Sequence, residues 1–342
     1  MAKIVTLGEL LLRLSPAGNA RFFQANAFDV NYGGAEANVA ASLAQLGHDV
    51  SFVSKVPANA IGDAAIGTLR KCGVNCRHIA RGGERLGIYF LENGASVRPS
   101  SVVYDRKHSS ITQALPEEFD FDTIFQGADL FHVSGITPVL SKEAAALTIE
   151  ALKQARAHGV LVSFDLNYRA KLWTENIPQK QKMLCDMMQY VDICFGNARD
   201  AAKCLGYSEP GTDFLDGDYK ICVDETHMKH VLEKYDFKYL ITTLRGSISA
   251  SDNNWSAAVC SREKLYHGHE YHLHIVDRVG GGDSFASGFL HGIVSEMGME
   301  KSLEFAIAAA AIKHTIPGDI NYLNEAEVLT LMNSDGSGRV QR

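Results

Sequence analysis

Short continuous apolar runs alternate with helical periodicity along most of the chain. Residues 4–7, 51–56, 130–133, 160–164, 193–195 and 239–243 read as buried strands, and residues 35–46, 62–72, 142–157, 179–190 and 226–235 as the helices between them. Strands without a polar side, each followed by an amphipathic helix, predict an α/β fold. Its sheet would be mostly parallel and covered by helices on both faces. Two segments break this rhythm. Residues 10–30 and 84–110 carry strand-like alternation with polar interruptions and have no helix of their own. Connections of that length need a task. They are expected to form a small antiparallel β lid outside the main sheet, serving to exclude water, to contact a second copy of the chain, or both. The alternation fills residues 1–335 as a single domain. The turn-rich stretch 209–223 has no assigned place, and 336–342 reads as a frayed tail.

Composition narrows the function. A net charge of −7, with Lys and Arg scattered rather than clustered, argues against a nucleic-acid partner. No apolar run approaches the length that spans a bilayer, so no membrane partner is expected. The first residues lead straight into a strand pattern without signal-peptide architecture, and the seven cysteines form no regular framework. Both features suit reduced thiols in a cytoplasm. Cys72 and Cys76, at i,i+4 spacing, read as packing residues. His267, His269, His272 and His274 look metal-like. In one strand, however, the first two share a face and the last two share the other, so four ligands do not converge.

The stretch DRVGGGDSFASG, residues 277–288, is the most unusual in the chain. Three glycines permit close backbone approach. At a helix start their amides converge where the dipole is positive, which suits an anion. Residues 284–297 supply that helix, with Phe285, Phe289, Ile293 and Met297 on one face. Asp283 then stands beside the amides of Gly280, Gly281 and Gly282. There it either accepts a proton from an attacking hydroxyl during phosphoryl transfer or only caps the helix. The P-loop, the kinase catalytic loop and the dinucleotide fingerprint are all missing, so nucleotide chemistry would have to use this turn.

Two motifs together resemble the ribokinase-like (PfkB) carbohydrate kinases. GGAEANVAASLAQLG, starting at Gly33 and Gly34, is similar to their N-terminal signature. DRVGGGDSFASG is similar to their C-terminal one, usually D-x-x-G-A-G-D-x-F. The resemblance covers nearly the whole chain and implies a ribokinase-like fold and ATP-dependent phosphorylation of a sugar hydroxyl. It implies Asp283 as base, Gly280–Gly282 as anion hole, and ATP and Mg²⁺ as cofactors. Asn197 to Asp200 stands where the family has N-x-x-E, which connects Asn197 to the nucleotide and Asp200, with a shorter reach, indirectly to the metal. Thr243, Arg245 and Gly246 resemble the strand-end turn that meets the phosphates. The helix ending at Lys313 and His314, followed by Gly318, resembles the one beside the adenine.

Within the family the chain is most similar to kinases of 2-keto-3-deoxygluconate. The similarity rests on Gly8-Glu9, Arg13 to Pro16, Tyr104-Asp105-Arg106 and FDLNYRAKLW from Phe164. A sugar acid suits arginine, whose fork matches a carboxylate. Arg106 lies on the lid, while Asn167 and Arg169 follow a strand at the edge where open parallel sheets bind ligands. Either arginine could instead be a solvated or ion-paired surface residue. Tyr89 and Tyr104 either touch the sugar or pack, and Asn38, near Glu36, either faces the sugar or has no role in the site. A neutral sugar such as fructose, ribose or a hexose phosphate remains the alternative substrate. A nucleoside kinase would need an aromatic base slot that is not identifiable. A sugar-sensing module without catalysis would have no need of Asp283.

Overall fold

The computed structural model describes residues 1–207 and 225–334. The stretch 209–223 and the tail 336–342 lie outside the described residues. The strands in chain order are β1 (Lys3–Leu7), β2 (Leu11–Ser15), β3 (Asp29–Gly33), β4 (Asp49–Val56), β5 (Ile79–Arg81), β6 (Gly87–Glu92) and β7 (Ser101–Asp105). They continue with β8 (Leu130–Ser134), β9 (Leu161–Asp165), β10 (Ile193–Phe195), β11 (Tyr239–Ser247), β12 (Asp252–Ser261), β13 (Leu265–His267) and β14 (Tyr271–His274). The helices are α1 (Ala35–Gln45), α2 (Ala60–Lys71), α3 (Phe121–Phe125), α4 (Lys142–Ala157) and α5 (Ile177–Met188). After these come α6 (Ala198–Leu205), α7 (Glu225–Tyr235), α8 (Gly281–Val294), α9 (Met299–Lys313) and α10 (Glu325–Met332).

The main sheet runs β13-β12-β11-β10-β9-β8-β1-β4-β5, with β14 beside β12. It is parallel from β5 to β11 and antiparallel beyond. Its central strands are apolar on both sides because both sides are covered. On β1, Ile4 enters the core beneath α1 and α8, while Val5 and Leu7 enter the core beneath α4 and α5. Helix starts follow local chemistry: Asn59 caps α2 and Ser141 caps α4 through side-chain oxygens that accept amide protons.

The lid is a second sheet ordered β3-β2-β6-β7. Its outer pairs are antiparallel as expected, but β2 and β6, from separate segments, meet in parallel. One face of the lid turns Leu11, Tyr89 and Leu91 inward. The other carries a row, Val30–Leu14–Phe90–Val103, across all four strands. The histidine segment is not one strand, since β13 ends at His267 and β14 begins at Tyr271. His272 and His274 hydrogen-bond to Asn254 and Asp252. Cys72 and Cys76 are packed in the core.

Candidate active site

A cavity of about 760 Å³ opens where the parallel strands end, beneath the lid. Its wall collects Gly34, Asn38, Tyr89, Tyr104 and Arg106 from α1 and the lid side, and Asn167 and Arg169 from the loop after β9. Asn197 and Asp200, at the start of α6, join them with Thr243, Arg245, Gly280, Gly282 and Asp283. Each element delivers its residues by its end, as open α/β sheets do.

The glycine turn forms as a helix start. Gly280 takes a left-handed φ of 79° as the N-cap of α8, and a Cβ there would lie 2.1 Å from the Asp319 carbonyl oxygen. Glycine is therefore required at that position. The helix starts at Gly281, earlier than the apolar spacing predicts, so Gly281, Gly282 and Asp283 form its first turn. Among the described residues the amides of Gly280, Gly282 and Asp283 have no acceptor. Gly281 departs from expectation. Its amide points to the Arg278 carbonyl at 3.4 Å, and it is buried off the cavity wall. A Cβ at this position would come within 2.6 Å of the His314 ring. That contact gives a physical reason for glycine where the family usually has alanine.

Asp283 accepts a hydrogen bond from Asn38 Nδ2 at 2.7 Å. Burial pushes its carboxyl up to about 7, against the opposing effects of Asn38 and Arg169, while Glu36 and Asp319 add to the rise. Asp165, which the sequence reading did not single out, stands in the same wall. Burial pushes it up to about 8, opposed by Arg169 and reinforced by Asp283 and Asp200. Its signal was present in the sequence as an acid at a strand end, directly before the asparagine and arginine of Phe164-Asp-Leu-Asn-Tyr-Arg. Asn167, at a left-handed φ of 44°, donates its amide N–H and Nδ2 to Asp165 at 3.0 and 3.2 Å.

The two arginines differ. Arg106 Nε and Nη2 are both committed to Glu9 Oε2, the first at 2.9 Å, and Ser109 Oγ donates to the other Glu9 oxygen. Its fork is therefore spent on tying the end of β7 to the segment just before β2, a correction to its expected role as a free carboxylate ligand. Arg169 is exposed to the cavity, donates to the Tyr168 carbonyl at 3.1 Å, and has no acidic partner among the described residues. Tyr89 donates to Asp319 and packs against Tyr104, with ring centroids 6.1 Å apart.

On the opposite side, Arg245 and Arg278 face one another's charge. Burial holds both below the usual arginine range, and Arg278 and Arg169 lower Arg245 further. Cations in the same cavity as unpaired helix-start amides suit a polyphosphate. Several expected nucleotide residues lie elsewhere. β11 continues through Arg245 to Ser247, so this segment is strand rather than turn, and Gly246 pairs with Asn254 away from the cavity. Lys313 is fully buried, and its Nζ donates to the Ile316 carbonyl, off the cavity wall. Gly33 also stands behind the wall, against Asp319 and Asn38. Asn197 and Asp200 cap α6 reciprocally at 2.9 and 3.3 Å, which holds the Asp200 carboxylate at the helix start. Burial raises that carboxyl as well.

A mostly parallel sheet, a β lid and an acid at a glycine-rich helix start over one cavity define a small-molecule phosphotransferase. Residues 1–326 match the model of the pfkB family carbohydrate kinases, and the chain belongs to that family. It is 31% identical to the 2-dehydro-3-deoxygalactonokinase of Haloferax volcanii over 98% of both chains. It is 26% identical to the 2-dehydro-3-deoxygluconokinase of Bacillus subtilis over 95% of this chain and 93% of that one. The crystal structure of 2-dehydro-3-deoxygluconokinase from Thermotoga maritima superposes with a TM-score of 0.91 at 50% identity, covering 97% of this chain and 98% of that one.

Proposed function

We propose that this carbohydrate kinase transfers the terminal phosphoryl group of ATP to the hydroxyl of 2-keto-3-deoxygluconate furthest from its carboxylate, giving the 6-phosphate. The observation that carries the reading is the pairing of Asp283 with Arg169 across one cavity, the first beside unpaired amides and the second without an acidic partner. Asp283 takes the proton of the attacking hydroxyl while Asn38 holds the carboxylate in place. The amides of Gly280 and Gly282, with Arg245 and Arg278, stabilise charge on the phosphoryl group. Arg169 holds the sugar's carboxylate at the far end. The names of the relatives in Haloferax, Bacillus and Thermotoga support a 3-deoxy keto-acid sugar over a neutral one.

Asp165 and Asp200 are the carboxylates placed to hold Mg²⁺. Two acids plus phosphate oxygens suit its preference, and among the described residues no group of three or more acid, His or Cys side chains offers a full protein cage. When bound, the ion would neutralise phosphate charge. The outer row of the lid, with Val30 57% and Val103 49% exposed, supports self-association through that face. Light scattering that finds only monomers would remove this part of the reading. The substrate reading is tested by ADP release with 2-keto-3-deoxygluconate, its galactonate epimer, fructose, ribose and a hexose phosphate. Highest kcat/KM is expected for the gluconate acid, and preference for a neutral sugar overturns it.

A further inference from the structure

The glycine turn rests on a buried ionic group that reaches into the lid. Arg13, on lid strand β2, is 2% exposed, yet all its polar ends are engaged. Nη1 donates to Asp319 Oδ1 and Nη2 to Asp277 Oδ2, both at 2.7 Å, while Nε donates to Ser15 Oγ at 2.8 Å. Asp277 opens the glycine turn. It accepts the Val279 amide on one oxygen and the Gly318 amide on the other, each at 3.0 Å. Asp319 accepts Tyr89 from lid strand β6, and its backbone oxygen is the atom that forces Gly280 to lack a side chain. Lys313, also fully buried, lies within the influence of both acids and touches the space beside Gly280. Two cations and two anions thus form a neutral, dry group directly beneath Gly280.

We propose that Arg13 is a positioning residue for phosphoryl transfer. It locks the glycine turn to the closed lid, so that the unpaired amides and Asp283 hold one geometry only when the lid is in place. The proposal rests on the role given to Asp283 and its turn in the reading above. The physical basis is that a fork arginine between two carboxylates fixes both in distance and plane. One carboxylate is bonded to the turn's own amide, and the other belongs to the residue whose backbone oxygen lies against its first glycine. Neither lid strand touches the turn by any other ion pair among the described residues. A fold-only role would be served equally by apolar groups of the same volume, because buried ion pairs are seldom worth more than a packed isostere.

That contrast supplies the test. Arg13→Met leaves two buried acids unpaired and is expected to lose both stability and turnover. Arg13→Met/Lys313→Met/Asp277→Asn/Asp319→Asn removes both cations and both anions together and is expected to recover the urea midpoint. Its kcat should stay depressed by about 10²-fold, the scale of an ångström-level misplacement, with the KM for ATP little changed. Arg13→Lys should fall between Arg13→Met and wild type in kcat. A quadruple variant with wild-type kcat overturns the proposal, because the group then only holds the fold. So does an Arg13→Met enzyme whose kcat, corrected for the fraction folded, equals that of wild type. Asp283→Asn is measured separately in the unaltered background. Full turnover there would sink the base assignment itself, a failure read without reference to Arg13.

Discussion

Replacing Asp283 by Asn should separate what this carboxyl does for catalysis from what it costs the fold. The two side chains have nearly the same shape, and the new amide oxygen can still accept from Asn38, whose bond to Asp283 is 2.7 Å long. Turnover should nevertheless fall about 10²-fold or more, because no group is left to take the proton. Stability should move the other way. Burial lifts the carboxyl from its ordinary value of 3.8 to about 7. Below pH 4 folded and unfolded chains both carry the proton, and nothing is lost. Between pH 4 and 7 the unfolded chain ionises while the folded one keeps its proton, so wild type loses stability as the pH rises. Above 7 the loss is complete.

A tenfold step in proton affinity is worth about 1.4 kcal/mol, which bounds the effect at about 4 kcal/mol. Solvent reaching the carboxylate through the cavity reduces it to about 1–2 kcal/mol. Urea titrations of both proteins at pH 5, 6, 7 and 8 measure it. The variant's advantage should widen up to pH 7 and then level off. An advantage that is constant across this range, or an Asn variant turning over within a few-fold of wild type, refutes the account of a base whose proton affinity is raised by its site.

Arg169→Ala should lower kcat/KM for the sugar acid by about tenfold to several hundredfold, since charged hydrogen bonds are worth about 1.5–3 kcal/mol. The KM for ATP should stay near wild type, and Arg169→Lys should recover only part of the loss, as steady-state kinetics will show. Arg106→Ala strands the Glu9 carboxylate in the lid. It should lower stability by about 3–5 kcal/mol in urea titrations, an effect that Glu9→Gln in the same chain should relieve. Gly281→Ala should destabilise by about 1–3 kcal/mol through contact with the His314 ring, and His314→Ala should relieve that strain in the double variant. Saturating sugar acid should slow amide exchange in residues 10–33 and 84–110 more than in the main sheet. Equal protection in both regions would leave the lid without a closing role.

What was legible in the sequence is what local chemistry sets. The α4 helix falls at its expected bounds because its apolar period is regular and Ser141 marks its start. The glycine turn was legible as a helix start because an apolar helical period follows the three glycines. The start of α8 was misjudged because glycine reads as a helix breaker, whereas here it forms the first turn and leaves the amides open. Arg106 was misread because its partner, Glu9, lies 97 residues earlier, and nothing local marks the pairing. The Arg13 group was not legible at all, since its bonds join residues 264 and 306 positions apart. Sequence pattern marks a residue's chemistry, but only packing decides whether that chemistry is already spent inside the protein.

That distinction orders the charges around the cavity. Glu36 is more deeply buried than Asp283, and one of its oxygens receives the Ser134 amide, the Ser134 hydroxyl and the Thr137 hydroxyl. Glu9 is consumed by Arg106 and Ser109, and Asp277 and Asp319 by Arg13. Asp283 and Asp165 are held differently: side-chain and backbone amides donate to them, and no cation is bonded to either. An amide fixes a carboxylate's position and lowers its proton affinity only in part, so at Asp283 and Asp165 the effect of burial still prevails and the affinity stays high. The acids bonded to arginine hold the structure together, while those bonded only to amides are left able to do chemistry. The same division sorts the arginines. Arg13 and Arg106 are locked to acids, whereas Arg169 and Arg245 meet the cavity with no acidic partner among the described residues. A dianionic phosphoryl donor and an acidic sugar are the partners that would complete such a site. A neutral sugar would leave Arg169 facing its acids with nothing to hold.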